Sequence, residues 1–351
     1  MVSFIGDIAL GGILSMDPGN NANRFSEIVP ILKTSDFVFA NLETPVKIDD
    51  NVNQNKQFIH YALPDPSYDL LNLLNIGCVS LANNHIFDSN ITGLRATIEI
   101  LDEQNIYHTG AGWKDEHVNP VVINREGKNI GFMAYVDQST NPKTENYKEL
   151  FINYLQKDKI ISDVKLIRSE VDTIICSLHW GKDYSFYPTQ NQVELAHALI
   201  ESGVDIIMGH HPHTIQPYEK YLDGTIFYSL GGLTFGDFIK DNKMYALYRK
   251  TKIGIIAHTD TSFDNYSFIS TKEHVGNYVE IINRDYESWS KFKWRIFRIK
   301  EKYSILSSLI NFKENVIDRV VEYFFGYYQS PLRRLFQLSN VRKLKRLFNN
   351  L

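Results

Sequence analysis

Three histidines, His210, His211 and His213, stand within four positions in IIMGHHPHTIQPYE (Ile206 to Glu219), directly after an apolar run. The whole chain holds 11 His in 351 residues, so the cluster is not what composition alone would produce. Four more polar clusters stand at the end of an apolar run: Gly6-Asp7, Asn41 to Thr44 (NLET), Ala82 to Asp88 (ANNHIFD) and Leu178 to Gly181 (LHWG). Singly, each has an ordinary reading. Asp7 caps a loop, Glu43 is a solvated carboxylate, His85 is a hydrogen-bonded core histidine, and Asn83 and Asn84 are turn residues, since Asn tolerates left-handed backbone. Together they offer carboxylate, amide and imidazole donors, a mixed set suited to divalent Mn, Fe, Zn or Mg. His179 is delivered by the buried-looking run TIICSL. Pro212 fixes its own φ and restricts His211 to extended geometry, so His211 and His213 project from one rigid turn.

Such a set works only if the fold brings it to one place. VSFIG, DFVFANLE, CVSLANNH, IYHTGAG, TIICSLHWG and VDIIMGHH read as strands. RFSEIVPILKTS, SYDLLNLLNIG, TGLRATIEILDEQN, KIISDVKLIRSE and QNQVELAHALIESG have helical apolar spacing. Pro30 ends or kinks the first of these helices, while Ser67 caps the second and Gly77 stops it. PVVINREGKNIGFMAYV reads as a hairpin around REGK. Strands alternating with helices of roughly 10–15 residues specify a layered α/β fold, in which ligands gather beyond the carboxyl ends of the strands. From Gln216 the pattern turns mostly β, with a hairpin signal at Asp223-Gly224 and strands in ALYRKTKIGIIAHTD and GNYVEIINRD. This stretch is expected to supply a second sheet or one flank of a two-sheet sandwich.

A net charge of -4, with 43% hydrophobic and 22% charged residues, is ordinary for a globular protein. The charge is unevenly placed: residues 291–351 carry 14 Lys and Arg against 4 Asp and Glu, and the rest of the chain carries 23 against 37. No nucleic-acid motif accompanies the basic end, and the body is acidic, so nucleic acid is not an expected partner. The amphipathic, basic pattern of YSILSSLINFKENVIDRVVEYFFGYY and SPLRRLFQLSNVRKLKRLFNNL has two readings: an appendage packed on the body, or a surface helix meeting an anionic membrane. Cys78 and Cys176 both fall in apolar runs and read as buried, reduced thiols. No basic leader precedes MVSFIGDIALGG, and no apolar stretch is long enough to span a bilayer. These features give a cytoplasmic expectation. Trp113, Trp180, Tyr184, Phe186 and Tyr187 cluster near the motifs, so HWGKDYSFYP is read either as ordinary packing beneath a loop or as a cleft wall with Trp180 and Lys182 facing an anionic substrate.

The spaced set GD, NLE, NNH, D, HWG and GHHPH resembles the bacterial capsule-synthesis CapA group, associated with poly-gamma-glutamate capsules and placed in the calcineurin-like metallophosphoesterase superfamily. The matching motifs run from Gly6 to about Gly236, where YSLGGLTFGDF is similar to the family's closing segment. The resemblance implies a four-layer αββα sandwich over residues 1–285 with a dinuclear metal centre, followed by a basic helical extension over 286–351. It implies Asp7 and His213 as ligands of one metal, His179 and His211 as ligands of the other, Asn84 as a further metal ligand, and Glu43 as the bridge. His210 is then a loop residue without a ligand role. Where the superfamily has Asp-x-His, this chain reads Asp7-Ile8-Ala9, so one nitrogen ligand is missing. His85 is the implied proton donor to, or electrostatic stabiliser of, a leaving oxygen, with Asp88 accepting its other N–H. The implied function is a metal-dependent phosphoester hydrolase in capsule or polysaccharide biosynthesis, acting on an anionic small molecule or polymer beside the capsule-synthesis machinery. The alternative is a non-catalytic assembly factor that keeps the metal site and docks peripherally to the membrane through its tail. Ala9 favours the second reading, and Asn84, His85 and the later histidines favour the first.

Overall fold

The computed structural model describes residues 1–54, 56, 59–64, 68–114, 120–140, 142, 150–235, 238–240, 243–245 and 252–302. Ser67, Gly236 and the extension from residue 303 onward lie outside the described residues.

Four parallel strands, β1 (Val2–Ala9), β2 (Phe37–Leu42), β3 (Ile76–Ser80) and β4 (Tyr107–Thr109), begin one sheet. A short strand β5 (Ala111–Trp113) leads to the hairpin β6 (Val121–Arg125) and β7 (Lys128–Val136), and β8 (Leu150–Ile152) returns to pair with β5. β9 (Thr173–His179) and β10 (Ile206–His210) lie parallel to β7. β11 (Tyr218–Tyr221) and β12 (Gly224–Phe227) complete a six-stranded second sheet, joined by a tight loop at Leu222-Asp223. β13 (Gly232–Phe235) crosses back to pair with β1. After a small hairpin, β14 (Phe238–Lys240) and β15 (Lys243–Tyr245), the antiparallel run β16 (Ile253–Thr259), β17 (Ser267–Glu273) and β18 (Val279–Ile282) extends the first sheet from the other side of β1. The β-rich stretch is therefore divided between the two sheets.

The burial pattern makes this a four-layer α/β sandwich. On β7, Phe132, Ala134 and Val136 enter the core shared with the first sheet, whereas Met133 and Tyr135 enter a second core with the helices Lys157–Ile167 and Gln190–Glu201. β9 and β10 alternate likewise: Ile175, Ile206 and Met208 face the first sheet, and Ile174, Cys176 and Ile207 face the helices. A strand buried on both faces needs continuous apolar residues, which is why these segments read as unbroken runs. Between the sheets, Phe4 meets Phe39, Phe227 and, through Phe39, Phe132, with ring centroids 5.3–6.2 Å apart. Each such buried ring contributes about 1.5–3 kcal/mol by removal from water. The helix Asn90–Glu103 places Leu94 and Leu101 in the core on the far side of the first sheet.

Three local expectations are corrected. Pro30 lies in the first turn of the short helix Val29–Leu32, where its missing N–H costs nothing, and does not end a helix. Gly77 lies inside β3; the helix Asp69–Leu73 is stopped instead at Asn75, with φ 58°. β17 was not among the expected strands. Helix Tyr286–Lys302 packs on the body: Tyr286 and Phe297 are buried, and Trp294 Nε1 donates to Tyr218 O at 2.6 Å.

Candidate metal centre

The parallel strands of both sheets end at one place. Asp7 is on β1, Glu43 follows β2, Asn83 to Asp88 follow β3, His179 ends β9, and His210 to His213 end and follow β10. Glycines permit the close approach: a Cβ on Gly6 would strike the Gly231 carbonyl, and one on Gly209 the Tyr228 carbonyl.

Asn41 ties the centre together, donating through Nδ2 to Asp7 Oδ1 at 2.9 Å and to Glu43 Oε1 at 3.1 Å. His213 Nδ1 is 3.1 Å from Asp7 Oδ2, and its Nε2 is 3.9 Å from Glu43 Oε2. His179 Nδ1 is 3.3 Å from Glu43 Oε1, while its Nε2 is 3.0 Å from Asn84 Oδ1. The His211 ring lies 4.9 Å from that of His179 and 5.9 Å from that of His213. The six residues Asp7, Glu43, Asn84, His179, His211 and His213 thus meet in one cluster. Ligand atoms of Asp7, Glu43 and His213 all lie within 4.8 Å of one another, as do those of Asp183, His211 and His213.

Two fully buried carboxylates dominate the electrostatics. Burial, with the negative charge of Asp7, pushes Glu43 well above the usual carboxylate range. Burial would raise Asp7 too, but hydrogen bonds from His210 and His213 hold it well below that range. Burial opposes protonation of His213, yet Glu43 and Asp7 outweigh it and raise His213 to about 9. Burial lowers His211 to about 4 and depresses His179, leaving two neutral imidazoles with lone pairs at pH 7. Glu43 Oε2, His210 Nε2 and His211 Nδ1 are buried without a hydrogen-bond partner. Orphaned oxygen and nitrogen atoms beside two buried carboxyl groups are what a divalent cation would satisfy, so the donor set fits a metal.

Beside this lies a dyad: His85 Nδ1 is 2.6 Å from Asp88 Oδ2. Lys56 Nζ donates to Asp88 Oδ1 at 2.7 Å and to Asn84 O at 2.5 Å, and the His60 amide donates to Asp88 Oδ2 at 2.7 Å. The His60 ring stands edge-on to that of His85, centroids 4.4 Å apart.

Several expected positions are corrected. His210 is not a loop residue; it closes β10 opposite His179, with Nδ1 3.1 Å from Asp7 Oδ1. His211 is not extended: its φ is 92°. Trp180 does not face a cleft, because its ring is buried in the helix-side core and Nε1 donates to Tyr228 O at 3.1 Å. Lys182 is exposed on the loop beyond it. Trp113 lies on β5 beneath the Arg95 guanidinium. Sequence reasoning missed Lys56, His60 and Asp183 altogether and gave Asn41 no role, although NLET contains it. Lys56 and His60 sit in an aperiodic stretch, NVNQNKQFIHYALPDP, that carries no pattern to read.

With that geometry in place, comparison with known proteins decides the family. Residues 1–241 match the family described as bacterial capsule synthesis protein PGA_cap. The chain belongs to that family. It is 29% identical over 237 residues to the PGA biosynthesis protein CapA of Bacillus subtilis (strain 168), covering 66% of this chain and 62% of that protein. It is 28% identical over 243 residues to the capsule biosynthesis protein CapA of Bacillus anthracis, covering 67% and 59%. The matched region thus spans about three fifths of the length of these curated relatives. Among solved structures, a putative 5'-nucleotidase from Staphylococcus aureus in complex with alpha-ketoglutarate aligns with a TM-score of 0.46 at 12% identity, covering 84% of this chain and 58% of that one. The PGA_cap match ends before helix Tyr286–Lys302, and among the described residues no helix is long and apolar enough to cross a membrane.

Proposed function

We propose that this PGA_cap chain uses a divalent-metal centre to hydrolyse a phosphoester during synthesis of a capsule polymer, poly-gamma-glutamate or a polysaccharide. The observation carrying the reading is the buried Asp7–Glu43–His213 group, in which Glu43 Oε2 has no hydrogen-bond partner. Asp7, Glu43, Asn84, His179, His211 and His213 would hold one or two cations of the Mn, Fe, Zn or Mg class. When bound, such cations supply Lewis acidity and neutralise charge developing on a phosphoryl group. Asp88 fixes His85 through Nδ1, which leaves Nε2 to exchange a proton with a departing oxygen. Lys56 and the His60 amide hold Asp88 in place.

A specific observation favours a second reading, a non-catalytic assembly or polymer-binding factor: Ala9 gives β1 a buried methyl group where a further nitrogen ligand is implied. A generic phosphodiester assay with added Mn²⁺ separates the two. The hydrolase reading expects wild-type turnover and its loss in His211→Ala and Asn84→Ala; equal rates in all three proteins reject it.

The proposal extends to location and partners. Free, buried Cys78 and Cys176 are consistent with a reducing cytoplasm. On helix Tyr286–Lys302, Lys291, Phe292, Arg295, Arg298 and Ile299 are exposed at one-face spacing, which supports peripheral docking of the 286–351 extension to an anionic membrane, beside the capsule-synthesis machinery.

A further inference from the structure

At the mouth of the centre, ligand atoms of Asp183, His211 and His213 lie within 4.8 Å of one another. Asp183 is half-exposed, on the loop after β9, and belongs to none of the strand-end motifs. Its Oδ1 is 3.4 Å from His211 Nε2. That is long for a charge-assisted hydrogen bond, which closes to about 2.7–2.9 Å. It matches the separation of two donors on one tetrahedral cation: ligands at about 2.0–2.2 Å from the ion lie roughly 3.4 Å apart. With His211 lowered to about 4 and so neutral at pH 7, Asp183 gains no ion pair from it, and charge pairing alone is a weak reason for this placement.

The surroundings hold the arrangement. His211 and His213 both adopt left-handed backbone, φ 92° and 53°, in a turn around Pro212. Non-glycine residues rarely do so, and such conformations cluster where a side chain must be aimed. The Asp183 loop is strapped to the same turn: the Tyr184 amide donates to Pro212 O at 2.9 Å, Thr214 Oγ1 to Ser185 O at 2.6 Å, and Gln216 Nε2 to Ser185 O at 2.9 Å. His211 is buried, and its Nδ1 has no hydrogen-bond partner.

Resting on the metal-centre reading above, we propose that Asp183 is itself a metal ligand, closing a mouth-facing cation site with His211 and His213. It supplies at the rim a donor that β1, with Ala9, does not. Two imidazoles and one carboxylate form a borderline set, so this site takes Zn²⁺, Fe²⁺ or Mn²⁺ in preference to Mg²⁺. Because Asp183 faces solvent, the remaining coordination positions open toward an incoming anionic ligand. The inner Asp7–Glu43–His213 group, by contrast, is wholly buried; a neutral imidazole offers one lone pair, so His213 ligates in one of the two groups at a time.

Equilibrium dialysis of the full chain against Zn²⁺ or Mn²⁺, followed by metal analysis, tests this. Asp183 is exposed, so D183A leaves the fold intact, checked by its thermal unfolding in chelator. The expectation is that D183A weakens binding of one equivalent by about 10- to 100-fold, the range that loss of even a supporting partner brings. D183H should regain Zn²⁺ but not Mn²⁺, a selectivity change that a merely structural residue would not produce. Unchanged stoichiometry and affinity in D183A overturn the proposal. If E43Q loses metal while D183A does not, the inner centre stands and Asp183 is removed from it. If the wild type binds neither cation, both readings fall.

Discussion

Glu43, Asp7 and His213 hold two carboxylates and one imidazole out of water, and without a cation only protons balance them. His213 is held up to about 9, so it is protonated at pH 7 in the metal-free protein and must release that proton before it can ligate. Glu43, raised by burial and by Asp7, gives up any proton it holds in the same event. Cation binding at pH 7 should therefore release protons, and affinity should climb as pH rises toward about 9. Calorimetry in buffers of differing ionisation enthalpy measures this; binding without proton release between pH 6 and 9 contradicts the assignment of His213. At this scale the sequence showed donor types but not their pairing. Asp7, Glu43, His179 and the histidine turn were legible because each closes an apolar run. Lys56, His60 and Asp183 were not, since each reaches the centre from a loop whose path is set by tertiary contacts. The geometry of His211 was misjudged because the turn that aims it overrides the usual preference of a residue before proline.

Strands were the most legible elements, since β1, β2, β7, β9 and β10 are buried on both faces and so read as continuous apolar segments. Short helices were legible in place but not in extent: Val29–Leu32 and Asp69–Leu73 fall inside segments with helical spacing but are only four and five residues long. β17, SFISTKE, mixes polar and apolar residues on an antiparallel flank and gave no signal. Helix Tyr286–Lys302 precedes the segments given the two readings of the basic end, which lie outside the described residues; it packs Tyr286, Trp294 and Phe297 inward while Lys291, Phe292, Arg295, Arg298 and Ile299 face out. Each cation near an anionic surface contributes about 1 kcal/mol, so R295E/R298E should reduce partition onto phosphatidylserine-containing vesicles by at least tenfold. Equal sedimentation of wild type and variant with such vesicles removes the docking role.

On the scale of the whole molecule, the two sheets are arranged so that their parallel strands end together. That is why six residues drawn from Asp7 to His213 become neighbours. The layered α/β class was readable from the alternation of strand and helix, and the motif order carried the family, which the match over residues 1–241 establishes. The assignment of flanks was not readable: β13 crosses back to β1, and β16 to β18 extend the first sheet, because long-range pairing leaves no local trace in composition. If this convergence is a metal centre, anomalous diffraction from Mn²⁺-soaked crystals will reveal it. A manganese peak is expected within coordination distance of Asp7, Glu43 and His213. Ordered protein with no peak there, or manganese bound only elsewhere, would contradict it.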